Sequence, residues 1–256
     1  MKRHALLALV GALALGTLVA CGSDDEGGGS SEETVTLRVF AAASLTESFT
    51  ELGKQFEADH PGTKVELNFG PSSGLAEQIG SGAPADVFAS ASPSNMDTLV
   101  TDGDAKDPKE FAGNTMEIAV PPDNPGGITA LADVAKPDVK VALCQPDVPC
   151  GKVAAEVFAN AKLTVKPATE ELDVKSVLTK VTLGEVDAGV VYVTDVLAAG
   201  DDVKGVQIPA DVNATTTYPI ATLEGSEHQE EAADFVDLVL SGAGTKVLEE
   251  AGFQSP

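Results

Sequence analysis

Two short turns carry the residues of this 256-residue chain best suited to chemistry. In AAASLTE, residues 41–47, Ser44 stands three residues ahead of Glu47, the capping-box spacing that sets a serine at a helix N-terminus. In GPSSG, residues 70–74, Ser72 and Ser73 bring hydroxyls and glycine to the start of a second helical pattern. A helix start offers unpaired amides and a partial positive charge, so it can hold an anion without any cationic side chain. The other chemistry open to Ser44 and Ser72 is nucleophilic attack, as in an anchored serine hydrolase, and that requires a positioned base. His60 lies in a DHPG turn and His228 at an acidic helix start, both of which read as solvent-facing. Of these two chemistries anion binding is the better reading, but a serine that merely caps its own helix is the plainer alternative at either turn, and neither turn alone is specific.

The elements that must position these turns alternate. A strand over 34–40 is followed by a helix whose apolar stripe, Leu45, Phe49, Leu52 and Phe56, stops at His60-Pro61-Gly62. A strand over 64–69, a short helix over 74–79 and a strand over 86–89 complete a pattern that specifies a parallel sheet with crossover helices. A second α/β unit follows, with strands over 117–120, 139–143 and 188–193 and helices over 152–161 and 174–182. A strand over 218–223 then leads to a helix ending near Leu240, its start marked by Ser226 and Gln229 at capping-box spacing, and to a last helix before Phe253.

Residues 1–20 join a basic start, Lys2-Arg3-His4, to an apolar run, the layout of a secretory signal. The run ends in Leu18-Val19-Ala20-Cys21, which resembles the lipobox of bacterial lipoproteins and so implies cleavage before Cys21 and its lipidation. Residues 22–33 contain no apolar side chain and read, with Cys21, as a flexible lipid-anchored tether. In an oxidising exported compartment, Cys144 and Cys150 of CQPDVPC read as a disulfide closing a short proline-stiffened loop. A metal site is the alternative, though two cysteines and three histidines offer no workable ligand set.

Forty Asp and Glu against sixteen Lys and Arg give a formal charge of −24. Removing residues 1–20 takes away Lys2 and Arg3 and no acid, which leaves −26. Nucleic acid is a poor partner for such a surface, because phosphate binding depends on clustered Lys and Arg. The same charge favours a soluble monomer. With 43% hydrophobic residues the chain can bury a sizeable core, and with no Trp and 4% aromatics it suits a small polar ligand better than a stacked sugar or a protein hot spot.

The segments VFAAASLTESF, FGPSSGLAEQI, GAPADVFASAS, VPCGKVA, LDVKSVL and GVVYVTDV follow one another in an order and spacing that resemble the periplasmic molybdate-binding proteins of ABC importers. The resemblance covers residues 35–253 and implies an α/β fold of two lobes, each a mostly parallel sheet flanked by helices, hinged by crossing strands with the ligand in the cleft. It implies lobe 1 at 34–115 plus 220–256 and lobe 2 at 116–219. It also implies hydroxyl and amide donors from Ser44 and Ser72, backbone donors at Cys150 and Val174, and a phenol at Tyr192 that closes over the ligand. Cys150 departs from the small residue usual at its position, and Asp195 is expected to organise its own loop rather than touch ligand. The implied ligand is molybdate or tungstate, so molybdenum enters only as oxyanion, without direct protein ligands. No cofactor and no catalysis are implied. The partner is a membrane permease, with the receptor held at the outer face of the membrane by lipidated Cys21; another oxyanion, such as sulfate, is the alternative cargo.

Overall fold

The computed structural model describes residues 34–256. The expected signal segment, Cys21 and the tether lie outside the described residues.

β1 (Val35–Ala42), β2 (Thr63–Gly70) and β3 (Val87–Ala89) are parallel, with α1 (Thr46–Asp59) and α2 (Ser72–Gly80) as their crossovers. The α1 stripe falls where the periodicity sets it, with Phe49, Leu52 and Phe56 fully buried. The helix ends where Pro61 cannot continue it and Gly62 takes a φ of 96°. α3 (Pro93–Asp102) then leads into a long strand, β4 (Lys109–Val120). Beyond it come β5 (Val141–Cys144), α4 (Pro149–Asn160), β6 (Thr169–Glu171), α5 (Val174–Thr182), β7 (Ala188–Tyr192) and α6 (Val193–Ala199). β8 (Lys204–Gln207), β9 (Thr215–Thr222), α7 (Gln229–Leu240) and α8 (Gly242–Glu250) complete the chain.

The sheet runs β2-β1-β3-β9-β4-β7-β5-β6, with β8 also on β4. β4 joins its two halves: Lys109–Thr115 pairs antiparallel with β9, and Met116–Ala119 pairs antiparallel with β7. The buried apolar residues separate accordingly. One cluster draws on positions 116–214, including Ile118, Val141, Val157, Val177 and Val190. Two others draw on 37–112 and 218–253, including Leu37, Phe49, Phe235, Phe88 and Leu99. Each half of the sheet thus has its own core.

Several elements escape the pattern reading. α3 opens on a proline and buries only Asn95, Met96 and Leu99. The first half of β4 reads KEFAGNT, with Gly113 and Asn114 where β-formers are usual. The capping box expected at Ser226 and Gln229 does not form. Ser226 Oγ donates to Asp86 Oδ1 at 2.6 Å and accepts the His228 amide, while Gln229 Nε2 donates to the Leu223 and Ser226 carbonyls. A buried carboxylate is a stronger partner for the serine than an exposed helix amide, and Asp86 also accepts the Arg38 amide at 2.7 Å.

Candidate functional site

A cavity of about 20 Å³ is lined by Ala42, Ser44, Ser72, Cys150, Val174 and Tyr192, among others. Drug-sized ligands occupy pockets of roughly 300–1,000 Å³, so this one suits a small ion. All five residues expected to bind an oxyanion, Ser44, Ser72, Cys150, Val174 and Tyr192, are brought together there from five separate stretches of chain. The structure places each at or beside the start of a helix.

Ser44 lies in a 3-10 turn, Ala43–Leu45, that leads into α1. The capping box with Glu47 is not made. Ser44 Oγ is 2.9 Å from Tyr218 Oη, and the Glu47 carboxylate turns to the Lys175 ammonium, a charge-assisted partner that outcompetes a neutral amide. Asn114 Nδ2 donates to Thr194 Oγ1 at 2.9 Å and more weakly to Tyr218 Oη at 3.5 Å. Tyr218 Oη can accept there and still give its own hydrogen to Ser44, an arrangement that frees the Ser44 hydrogen for the cavity. Burial, above all, holds the Tyr218 phenol well above its ordinary pKa and keeps it protonated as that donor.

Ser72 is the first residue of α2, behind Pro71. Its Oγ accepts the Ala91 amide at 3.0 Å, which leaves the hydroxyl hydrogen free to donate. Thr216 Oγ1 donates to the Ala91 carbonyl at 2.7 Å and fixes that segment. The spacing Gly70-x-Ser72-x-Gly74, between a strand and a helix, is also that of a nucleophile elbow. Neither His60 nor His228 lines the cavity, however, so among the described residues no histidine base stands beside either serine.

Cys150 is the second residue of α4, which follows Pro149, and its side chain is bonded to Cys144 with the Cα atoms 5.8 Å apart. The bonded turn packs against its own helix so closely that a Cβ on Gly151 would overlap the Gln145 carbonyl. Only glycine fits after Cys150. Val174 opens α5, where Asp173 caps the helix by accepting the Ser176 amide at 2.9 Å. Asp173, the only charged residue in the cavity wall among the described residues, thereby has its carboxylate engaged with Ser176.

Tyr192 closes β7, is 1% exposed, and its Oη finds no hydrogen-bond partner among the described residues. Burial raises its pKa well above the ordinary value, so the phenol is a donor at any physiological pH. Asp195 lies three residues on and does not line the cavity. Its Oδ2 accepts the Tyr192 amide at 3.0 Å, the loop-organising role expected of it. Burial raises the Asp195 carboxyl to about 6, against the opposing pull of the Lys175 charge and the Tyr192 amide. Tyr218 and Asn114 were not legible as supports of the site, because Tyr218 sits in a strand pattern and Asn114 in a stretch without one, both far from any helix start. Their one signal is an amide and a phenol at inward-facing strand positions.

The cavity therefore gathers amides at helix starts, two serine hydroxyls and a phenol, with no Lys or Arg among the described residues of its wall. Donors without counter-charge, converging from helix N-termini on a small space, select an anion that only accepts. Among the described residues, no three or more of His, Cys, Asp and Glu are grouped to hold a metal ion, and no helix is long and apolar enough to cross a membrane.

This fold and site define a solute receptor, and the family model of the bacterial extracellular solute-binding proteins matches residues 37–254. The chain belongs to that family. It is 40% identical over 252 residues to the molybdate-binding protein ModA of Mycobacterium tuberculosis, covering 97% of each chain. Among solved structures, the periplasmic molybdate-binding protein of Azotobacter vinelandii superposes with a TM-score of 0.76 at 21% identity, covering 86% of this chain and 99% of that one. A sulfate-binding protein of M. tuberculosis gives a TM-score of 0.75 at 19% identity, covering 86% and 87%. At these identities the two structures establish the shared fold of two-lobed binding proteins.

Proposed function

We propose that this chain is an extracytoplasmic receptor that binds molybdate, and tungstate with it, and delivers the oxyanion to the membrane permease of an ABC importer. The observation that carries the reading is the convergence of four helix starts, two serine hydroxyls and an unpartnered buried phenol on one cavity without a cation. A tetrahedral dianion that is fully deprotonated at neutral pH can only accept hydrogen bonds, and every group offered to it donates. Identity of 40% to a molybdate-binding protein, over nearly the full length of both chains, supports molybdate as the cargo.

In this reading Ser44 and Ser72 donate hydroxyl and amide, Cys150 and Val174 donate backbone amides, and Tyr192 supplies the phenol. Molybdenum arrives inside its oxyanion and no side chain ligates it. Binding and release are the whole function, so the protein is a receptor and not an enzyme, without a cofactor. Lobe 1 comprises 34–115 with 220–256, lobe 2 comprises 116–219, and the cleft between them is the binding site. Cys21 is the lipidated residue that anchors a monomeric receptor at the outer face of the membrane, with 21–33 as tether.

Thermal denaturation with molybdate, tungstate, sulfate, phosphate and citrate tests the reading. Ligand at a hundredfold excess over Kd adds about 2.7 kcal/mol, a rise of roughly 5–11 °C for a domain of this size. Molybdate and tungstate should give such a rise and sulfate far less. Equal shifts from sulfate would move the assignment to a general oxyanion receptor, and no shift from any anion would overturn it.

A further inference from the structure

Three charged side chains that do not line the cavity meet at its margin. Lys175 Nζ lies 2.8 Å from both carboxylate oxygens of Glu47 and 3.3 Å from Asp195 Oδ1. Each belongs to a segment that also supplies a proposed anion donor. Glu47 is three residues past Ser44, Lys175 directly follows Val174, and Asp195 is three residues past Tyr192, whose amide it accepts. Glu47 stands in the first turn of α1, among the elements around Leu37 and Phe49, whereas Lys175 and Asp195 stand in α5 and α6, around Val177 and Val190. The Lys175–Glu47 pair thus ties one lobe to the other.

We infer that Glu47, Lys175 and Asp195 form an interlobe latch that sets how long the bound anion is retained, with Glu47 and Lys175 as positioning residues. The inference rests on the receptor reading, in which the lobes part to admit and release ligand. Lysine in the first turn of a helix opposes the macrodipole, so α5 gains nothing locally from Lys175. Its two carboxylate partners are what hold it there. Asp195 is fully buried, and stripping a buried carboxylate of its cation is costly, so Lys175 stays with Asp195 when the lobes separate. The contact made and broken is the one to Glu47, whose side chain is 52% exposed. An ion pair that exposed is modest in strength and screened by salt. It can slow release several-fold without blocking delivery, and lets the lobes close over the anion with no cation in contact with it.

The test compares release of radiolabelled molybdate, chased with unlabelled molybdate, from the parent protein, Glu47→Gln and Lys175→Arg at low and high salt. Glu47→Gln should release about two- to fivefold faster than the parent at low salt, and the difference should vanish at high salt. Lys175→Arg, which keeps the charge, should stay near the parent. Equal release from the parent and Glu47→Gln at low salt, or a difference that salt does not remove, would overturn the latch. If the parent binds no molybdate, the receptor reading fails by itself, and small-angle scattering of the two proteins without ligand decides the latch. A wider separation of the lobes in Glu47→Gln supports it, and superimposable profiles overturn it.

Discussion

Replacing Tyr192 by Phe removes one oxygen from a ring that is 1% exposed and packs edge-on against Tyr218, with centroids 6.3 Å apart. The ring contact survives the change. What disappears is a buried hydroxyl without a partner among the described residues, and a buried donor left unpaired costs about 1–3 kcal/mol. The variant without ligand should therefore be as stable as the parent or more stable, by up to that amount. Affinity should move the other way. A hydrogen bond to a charged acceptor is worth about 1.5–3 kcal/mol, so Kd should weaken by roughly 10- to 150-fold. Calorimetric titration with molybdate gives the affinity, and urea unfolding without ligand gives the stability. A variant that unfolds more easily and binds as tightly as the parent would refute the reasoning, because Tyr192 would then be a structural phenol and not a ligand donor.

Ser44→Ala and Ser72→Ala should weaken binding and, unlike Tyr192→Phe, also lower stability by about 1–3 kcal/mol each, since they orphan Tyr218 Oη and the Ala91 amide; denaturant midpoints without ligand check this. Gly151→Ala should cost about 1–3 kcal/mol through overlap with the Gln145 carbonyl, and it should weaken molybdate binding by shifting the start of α4. The Cys144→Ser, Cys150→Ser double variant loses a closed loop of only six residues' separation, worth about 2 kcal/mol, and should lose affinity more than stability as its turn becomes mobile. For Asp195, a folded carboxyl near 6 against an ordinary aspartate value of 3.8 means the native state holds the proton more tightly. Stability from this group is complete below pH 4 and is lost as pH rises toward 6. Asp195→Asn should therefore compare worst with the parent at pH 4 and less badly at pH 7, as urea unfolding across that range will show.

Where local chemistry and tertiary demand agree, the structure was legible in the sequence. The helix expected over 174–182 is α5, because its inward positions Val174, Val177, Leu178 and Val181 repeat at helical spacing and Asp173 caps it. Of the five proposed donors, Ser44 and Ser72 were legible from the turns that open their helices, whereas Cys150, Val174 and Tyr192 were expected from the family resemblance alone. Partners supplied by distant chain were not legible. Ser44 pairs with Tyr218 from 174 residues away, and Glu47 with Lys175 from 128, so the short-range capping box between Ser44 and Glu47 lost to two long-range contacts. The first half of β4 was hidden for a related reason. Asn114 is a poor strand former that holds its place by bonding to Thr194 in α6, and Gly113 exchanges both backbone hydrogen bonds with Gln254 at the far end of the chain.

The central claim, a cage of neutral donors for one small dianion, is tested most directly by titrating the protein with molybdate in a calorimeter, in two buffers of different ionisation enthalpy, with sulfate in parallel. The account predicts one site per chain, affinity at micromolar or tighter, a heat that does not depend on the buffer because no proton moves, and much weaker sulfate binding. Absence of molybdate binding, sulfate binding of equal strength, or a buffer-dependent heat that reveals proton uptake would contradict it.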